Sequence, residues 1–164
     1  MLNNLDIFYK KKILIYGLGK SGLSALKFLR KNNKIIKYDD SIKNSIKKIK
    51  KTNFDCIIIS PGIDIRKCIL SEFLKNNSKK IYTDLDIFYT QYKKNKKITI
   101  TGTNGKSTTA QILYEALKDH KIDVRLVGNI GNPVLSEKNI TSNTVFVVEA
   151  SSYQLKYSKL FKSN

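Results

Sequence analysis

At 164 residues, with 41% hydrophobic and 10% aromatic residues, the chain is long enough to bury a core and has the composition of a globular protein of one domain or a small pair. No apolar run approaches the roughly 18–20 residues that a membrane-spanning helix needs, which excludes an integral membrane protein, and the first six residues lack the order of a signal peptide. We therefore predict a cytoplasmic protein with no membrane partner.

The charge raises the question of nucleic-acid binding. A net charge of +18 and a pI near 9.8 would favour it if the lysines were clustered, but here they are spread along the chain. Arginine, which recognises bases and phosphates through paired hydrogen bonds, occurs only three times, and the other 28 of the 31 basic residues are lysines. We therefore predict a solvated lysine surface and no specific nucleic-acid partner.

The first elements have the order of a dinucleotide-binding domain. A buried strand is predicted at 12–16, followed by Gly17-Leu18-Gly19-Lys20-Ser21-Gly22, a helix from about 23 to 31 and a strand at 34–38. Asp39, at the end of that strand, has the place of the acidic residue that binds a ribose hydroxyl. The glycines could instead serve only for tight packing of the helix on the sheet, so both interpretations stay open.

Strands and helices continue to alternate. The apolar run 56–59 predicts a central parallel strand, and Ser60-Pro61-Gly62 predicts a turn at its carboxyl end, beside the first glycine loop. The result is a Rossmann-like doubly wound parallel sheet, with ligands expected at the carboxyl ends of its strands. The polar residues 91–97 are interpreted as a linker. The other predicted elements of this unit are a lysine-rich amphipathic stretch at 45–51, a helix at 66–75, a strand at 80–82 and a helix at 84–92.

A phosphate-binding loop is predicted where the second unit begins. The β-branched strand 98–101 runs into Gly102-Thr103-Asn104-Gly105, and a helix begins at Lys106 or Ser107. Glycines let backbone N–H groups turn inward, the helix start adds free donors, and Lys106 adds a mobile charge for phosphate oxygens. The hydroxyl of Ser107 is then placed to hold Mg²⁺. The generic P-loop spacing is absent, and an ordinary strand-turn-helix with a serine cap is the alternative.

An acidic residue downstream favours the phosphate-binding interpretation. The apolar run 144–149 predicts a buried parallel strand that brings Glu149 to the same sheet edge, where it would complete a magnesium site. Three strands leave no evident cover for both faces of this sheet, so we predict a truncated chain. The unit also contains a strand near 123–127, a loop at 128–133 and a helix expected to pack through Ile112, Leu113, Ala116 and Leu117.

Five motifs in series resemble those of the Mur ligases. Residues 101–108 are similar to the ATP-binding loop that these ligases share with folylpolyglutamate synthetases. The latter typically carry a glycine after the loop lysine, where this chain has Ser107, and lack the amino-terminal domain. The other four motifs are Gly17–Ser24, Ser60–Ile63, Gly128–Gly131 and Glu149–Leu155.

Within that family the motifs resemble the branch that adds D-glutamate. The resemblance implies that ATP phosphorylates the carboxylate of UDP-N-acetylmuramoyl-L-alanine and that the amine of D-glutamate then attacks the acyl phosphate, in peptidoglycan precursor synthesis. Catalysis of this kind consists of positioning and charge stabilisation. ATP and Mg²⁺ are the implied cofactors, NAD is not expected, and we expect a monomer.

The resemblance also assigns residues. Residues 1–92 would be a UDP-substrate-binding domain and residues 93–164 an incomplete central ATP-binding domain, with Lys106 and Glu149 as catalytic residues. The implied ligands are Gly102, Thr103, Asn104, Gly105, Lys106, Ser107 and Thr108 for ATP, Ser107 and Glu149 for Mg²⁺, and Gly19, Lys20, Ser21, Asp39, Ser60, Pro61, Gly62 and Asn129 for the UDP-linked substrate.

Two departures from the family pattern bear on function. Ser41 stands where an arginine is frequent, which leaves the uracil contact open. Complete ligases carry further metal ligands and a carboxy-terminal domain beyond the point where this chain ends, so we expect the chain alone not to form the amide. A non-catalytic nucleotide-binding or nucleotide-sugar-binding remnant, another Mur ligase and a folylpolyglutamate synthetase relative remain alternatives. An NAD-dependent dehydrogenase is disfavoured by the second loop and Glu149.

Overall fold

The computed structural model describes residues 7–41 and 46–163, so the start of the predicted stretch 45–51 lies outside the described residues. The chain has the predicted α/β class, with two parallel sheets and flanking helices. No helix of the described ranges is long and apolar enough to cross a membrane. The elements are β1 (Lys12–Tyr16), α1 (Lys20–Leu29), β2 (Lys34–Tyr38), α2 (Ile46–Lys51), β3 (Cys56–Ile59), α3 (Ser71–Asn76), β4 (Ile81–Tyr82), α4 (Asp84–Gln91), β5 (Lys97–Ile100), α5 (Lys106–Asp119), β6 (Val124–Gly128), β7 (Val145–Glu149) and α6 (Ser152–Tyr157).

The first sheet has the strand order β2-β1-β3-β4, and all its strands are parallel. Tyr16 is in register with Tyr38 on one side and with Ile59 on the other, so three carboxyl ends meet at one edge. The apolar runs of β1 and β3 are buried because both faces of the sheet are covered. This edge carries the first glycine loop.

The helix α1 begins at Lys20, three residues before the predicted start. Gly22 therefore lies inside the helix rather than in front of it. A Cβ built on Gly22 would lie 1.9 Å from the carbonyl oxygen of Gly17, so glycine is what lets the first turn of α1 pack this closely against the loop.

The predicted helix at 66–75 is wrong at its start, because α3 forms only from Ser71 to Asn76. The carboxylate of Asp64 accepts hydrogen bonds from the backbone N–H and the guanidinium of Arg66, and the carbonyl of Asp64 accepts from Lys67 and Cys68. These local bonds hold the segment in turns, since side-chain acceptors compete with a helical ladder.

The second sheet has the order β5-β7-β6, again with all strands parallel. One face packs on α5, and the opposite face, with Phe146 and Val148, packs on Leu85 and Phe88 of α4. The expectation that one face lacks a cover is therefore wrong. The last helix of the first unit supplies it, which a strand count within the second unit could not indicate.

The packing face of α5 also differs from the prediction. Ile112 is 62% exposed, and Ala116 is exposed as well. The helix packs instead through Ala110, Leu113, Tyr114 and Leu117, at the spacing of one helical face.

The residues that follow α4 are not a loose linker. Asn95 and Lys97 are buried, and the amide of Asn95 donates to the carbonyl oxygens of Thr141 and Thr144 at 2.7 and 2.9 Å. The ammonium of Lys97 donates to the carbonyl oxygen of Asn95 at 2.6 Å. Buried polar groups are tolerated when they are bonded in this way, so the connection is a fixed part of the fold.

Asp86 of α4 holds the segment that follows α6 through hydrogen bonds. Its fully buried carboxylate accepts hydrogen bonds from the backbone N–H groups of Lys159, Leu160 and Phe161 at 2.8, 2.7 and 3.2 Å. It also accepts from the backbone N–H of Thr83 at 2.8 Å, in a capping box at the start of α4.

We expect Asp86→Asn to destabilise the chain by about 2 kcal/mol, because an amide presents one acceptor atom instead of two and leaves buried N–H groups unpaired. Urea unfolding measures the change. Asp119→Asn, at the exposed end of α5, is the control and should stay within about 0.5 kcal/mol of the unsubstituted chain. Equal effects of the two substitutions would contradict the role given to Asp86.

Candidate functional site

The phosphate loop lies between β5 and α5 and is open to solvent. Residues 101–105 are exposed, and Gly102 and Gly105 have φ of 147° and 74°, which side chains rarely adopt. Gly105 is the N-cap of α5 and no side chain caps this helix end. Its first N–H groups are thus available to an anion, and the alternative of a serine-capped helix does not describe this loop.

Glu149 lies directly behind this loop. It is at the carboxyl end of the central strand β7, in register with Ile100 on one side and Gly128 on the other. Its side chain is 3% exposed, and its Oε2 accepts a hydrogen bond from Oγ of Ser107 at 3.1 Å. The fold thus brings together the two residues that the sequence singled out for a metal.

The pair of Ser107 and Glu149 fits magnesium by donor chemistry. Mg²⁺ prefers oxygen ligands, commonly binds one or two carboxylates together with substrate phosphates, and keeps several waters. The described residues contain no group of three or more His, Cys, Asp or Glu side chains that could hold a metal by themselves. Phosphate oxygens and water would therefore have to complete the coordination of an ion here.

Lys106 is free to reach a phosphate. Its Nζ donates to the carbonyl oxygen of Thr103 at 3.3 Å, a long bond within the loop itself. An incoming phosphate oxygen would be a stronger acceptor for the ammonium. Asn104 and Thr108 are exposed beside it, on the loop and on the first turn of α5.

Asn129 follows the neighbouring strand β6 and lies at the same edge. Its backbone N–H donates to the carbonyl oxygen of Glu149 at 3.0 Å, and the residue itself is exposed to solvent. Gly128, just before it, has φ of 116°, and a Cβ there would lie 2.1 Å from the same carbonyl oxygen. The strand ends therefore approach closely only because residue 128 is a glycine.

The first glycine loop is fastened to the turn after β3. The hydroxyl of Ser60 donates to the carbonyl oxygen of Gly17 at 2.7 Å. Gly62 is exposed and Pro61 half-buried at the same sheet edge, and Gly19 is the N-cap of α1 with no side-chain cap. The loop thus leaves the backbone N–H donors at the start of α1 accessible. The hydroxyl hydrogen of Ser60 is not available to a ligand in this arrangement, because it is donated to Gly17.

Asp39 organises this loop from the end of β2. Its Oδ2 accepts from the backbone N–H of Leu18 at 2.7 Å, and its Oδ1 accepts from the hydroxyl and the backbone N–H of Ser41 at 2.6 and 3.0 Å. The hydroxyl of Ser41, followed by the N–H groups of Leu18 and Ser41, lowers the pKa of Asp39. Ser41 therefore bonds to Asp39 in this chain.

Sequence reasoning missed Asp84, a carboxylate that links the two units. It is 3% exposed at the start of α4, and burial raises its pKa. Nε2 of Gln154 donates to its Oδ1 at 3.3 Å, and the backbone N–H of Leu85 donates to the same oxygen at 3.1 Å. Gln154 in turn accepts from the backbone N–H of Ser151, two residues after Glu149. Nothing in the pattern of α4 distinguishes this aspartate from a surface residue.

A cavity of about 670 Å³ lies elsewhere, at the amino ends of β1 and β2. Its lining is mostly lysines and asparagines, with Tyr9 and Asp55. It is at the amino edge of the first sheet, opposite the first glycine loop, whereas α/β proteins usually bind their ligands at the carboxyl edge. We therefore place the candidate site at the loops and not in this cavity.

Comparison with known proteins gives a consistent family. Residues 100–163 match the family model of the Mur ligase middle domain. The chain is 36% identical over 171 residues to UDP-N-acetylmuramoylalanine–D-glutamate ligase of Rickettsia bellii, which covers 96% of this chain and 37% of that protein. The corresponding ligase of Aquifex aeolicus is 36% identical over 154 residues, covering 93% of this chain and 37% of that protein. The chain belongs to the Mur ligase family.

A more distant ligase of the same name, from Caldicellulosiruptor saccharolyticus, is 31% identical over 180 residues, with 96% of this chain and 39% of that protein covered. A crystal structure of UDP-N-acetylmuramate:L-alanyl-gamma-D-glutamyl-meso-diaminopimelate ligase from Neisseria meningitides matches with a TM-score of 0.48 at 16% identity, over 88% of this chain and 55% of that one, which is too loose to bear on the fold. The chain thus spans less than two fifths of the length of the three D-glutamate ligases from Rickettsia, Aquifex and Caldicellulosiruptor.

Proposed function

We propose that the chain supplies two substrate-binding loops of an ATP-dependent ligase that joins D-glutamate to UDP-N-acetylmuramoyl-L-alanine. The observation that carries the proposal is the hydrogen bond between Ser107 and the buried Glu149 directly behind an uncapped, glycine-rich helix start. That arrangement suits the binding of a nucleoside triphosphate together with Mg²⁺. The names of the relatives supply the substrate class.

In this proposal the phosphate loop holds ATP for transfer of its γ-phosphoryl group. The backbone N–H groups of residues 102–105 and of the first turn of α5 receive the phosphate oxygens, and the ammonium of Lys106 moves from Thr103 to the β- and γ-phosphates. Mg²⁺, when bound by Ser107 and Glu149, neutralises charge that develops on those oxygens. The phosphate loop therefore positions the γ-phosphorus for attack by a carboxylate oxygen.

The first glycine loop would bind the other substrate. The N–H groups at the start of α1, with Lys20 and Ser21, receive the diphosphate of UDP-N-acetylmuramoyl-L-alanine, and Asn129 reaches its muramoyl part from the second sheet. Asp39 takes the role of holding Leu18 and Ser41 in place beside the uridine. The substrate carboxylate then attacks the γ-phosphorus, ADP leaves, the amine of D-glutamate attacks the acyl phosphate, and phosphate and one proton are released.

We further propose that the enzyme acts in the cytoplasm, where ATP is available, and as a monomer. The residues assigned to ATP and to the UDP-linked substrate come from one chain and lie at the carboxyl ends of its own two sheets. Neither assignment requires a second copy.

The first test is the magnesium dependence of ATP binding. We expect Mg²⁺ to strengthen ATP binding to the unsubstituted chain, and Glu149→Gln to reduce that gain by about tenfold, since a neutral amide is a poor ligand for Mg²⁺. Titration calorimetry with and without Mg²⁺ measures it. Glu115→Gln, whose partner is Gln111 on the exposed side of α5, is the control and should leave the gain intact. An unchanged gain in Glu149→Gln would remove the metal assignment.

The second test concerns the UDP-linked substrate and the reaction. We expect the chain to bind UDP-N-acetylmuramoyl-L-alanine more tightly than UDP-N-acetylglucosamine, which lacks the lactyl-alanine part. Turnover is best assayed in a chimera in which the chain replaces the segment of the R. bellii ligase that it matches. Phosphate release that requires both ATP and D-glutamate would support the proposal. A folded chimera that binds both nucleotides without such release would favour a binding module without catalysis.

A further inference from the structure

The cavity at the amino edge of the first sheet lies outside the substrate sites proposed above, and lysines from three stretches of the chain line it. The stretches are the start of β1, the turn after α1 and the start of β2. The lysines are Lys10, Lys11, Lys12, Lys31 and Lys34. The fold thus collects them around a space of about 670 Å³, a volume within the range of about 300–1,000 Å³ that small-molecule sites occupy.

The wall of this cavity is held in place by side chains that lie between the lysines. Oδ1 of Asn33 accepts from the backbone N–H of Lys11 at 2.8 Å, and Nδ2 of Asn33 donates to the carbonyl oxygen of Leu29 at 2.8 Å. From the side of β3, Oδ2 of Asp55 accepts from the backbone N–H of Lys12 at 2.8 Å. These bonds join the ends of α1, β1 and β3, so the cavity is formed before any ligand enters it.

The protein does not neutralise the charge of this cluster. Asp55 is the one carboxylate in the described lining, and within residues 7–41 and 46–163 none of the five lysines forms an ion pair. Lys12 and Lys34 are register partners on neighbouring strands, so two like charges lie side by side, which is unfavourable. An anion between these ammonium groups would relieve their repulsion.

We propose that the cavity is an additional anion site, which binds a small molecule with two or three linked phosphate groups. Lysine binds phosphate oxygens as a mobile point charge, and several lysines around one space suit a flexible chain of phosphates. The site lies at the edge opposite the first glycine loop, so its ligand and the UDP-linked substrate can be bound at the same time.

Two observations narrow the ligand. A single-stranded nucleic acid needs a groove that follows its backbone, whereas these lysines surround one cavity, which favours a compact anion. Tyr9 lines the same cavity and is 46% exposed, with Nζ of Lys10 5.4 Å from the centre of its ring. An aromatic ring beside the lysines can stack on a base, so a nucleoside polyphosphate and an inorganic polyphosphate share the required chemistry.

The test uses inorganic triphosphate as the probe, titrated without Mg²⁺ into the full chain carrying Lys106→Ala, which weakens the phosphate loop and leaves the cavity intact. We expect binding, and we expect Lys12→Gln together with Lys34→Gln to raise the Kd by at least about tenfold, because two charge-assisted contacts are lost. Glutamine keeps most of the side-chain length, and loss of the repulsion should leave the thermal unfolding midpoint unchanged or higher.

Lys93→Gln together with Lys94→Gln is the matched control. It removes two exposed lysines that line a different cavity, of about 440 Å³, and should change the Kd by less than about twofold at physiological ionic strength. Equal losses in the two double variants would overturn the inference, because general attraction to a basic chain would then explain the binding. Absence of binding by the folded Lys106→Ala chain would overturn it as well.

Titration of ATP into the same variants separates the two sources of the ligand. Tighter binding of ATP than of triphosphate, with the difference lost in Tyr9→Ala, would support the inference and assign the site to a nucleotide. Equal affinities would support it and assign the site to the phosphate chain alone. Binding of a single-stranded RNA oligonucleotide by a chain that does not bind triphosphate would overturn it in favour of a nucleic-acid surface.

Discussion

Gly22→Ala is expected to destabilise the chain by at least about 4 kcal/mol, because the new methyl group has no space. It would lie 1.9 Å from the carbonyl oxygen of Gly17 and 2.7 Å from Oγ of Ser60. These two atoms are held together by a hydrogen bond of 2.7 Å, which the hydroxyl of Ser60 donates. To relieve this steric clash, α1 would have to move away from the sheet, and that movement would expose the buried side chains of Ala25 and Leu29. Urea unfolding followed by circular dichroism measures the loss.

Gly19 provides a matched control three residues earlier. Its backbone is at φ −69° and ψ −172°, a conformation open to any residue, and a Cβ there would have no neighbour within 4 Å. Gly19→Ala should therefore change the free energy of unfolding by no more than about 0.5 kcal/mol. Similar losses in the two variants would mean that the close contact of α1 with the loop does not explain why residue 22 is a glycine.

The parts of the site that sequence patterns predicted are those set by strand geometry. An apolar run typical of a buried parallel strand that ends in a carboxylate places Glu149 at the carboxyl end of that strand. A glycine loop before a helix places Ser107 in the first turn of that helix. When both strands share a sheet, the two side chains have to meet at one edge. The contact between Ser107 and Glu149 is thus a consequence of local pattern plus topology.

The features that were missed depend on contacts between the units. Phe88 packs against Phe146, with ring centroids 4.8 Å apart. This contact covers the face of the second sheet for which the sequence indicated no covering element. The buried polar residues Asp84 and Lys97 look like surface residues in a charged, lysine-rich sequence, because periodicity records where apolar residues lie and not which polar ones are enclosed. For Asp86, the spacing from Thr83 is that of a capping box, a signal that predicts the cap but not its bonds to residues 159–161.

Lys106→Ala is expected to weaken the binding of ATP with Mg²⁺ about 100-fold, equivalent to about 2.7 kcal/mol. Within residues 7–41 and 46–163, the side-chain hydrogen bond of Lys106 is the 3.3 Å bond to Thr103 of its own loop, so the loss of this side chain should leave the fold unchanged. The whole effect should therefore appear in the bound state, where the ammonium would otherwise bond to charged phosphate oxygens. Titration calorimetry measures the affinity, and the thermal unfolding midpoint checks the fold.

Lys118→Ala separates this local effect from the general attraction of a chain with a net charge of +18. It removes the same charge from the last turn of the same helix, where the ammonium lies 5.8 Å from the ring of Tyr114. Attraction at such a distance from the loop is screened by salt, so Lys118→Ala should cost less than about twofold at physiological ionic strength. If the two variants lost affinity equally, ATP would be held by overall charge, and the glycine-rich loop before α5 would no longer be its site.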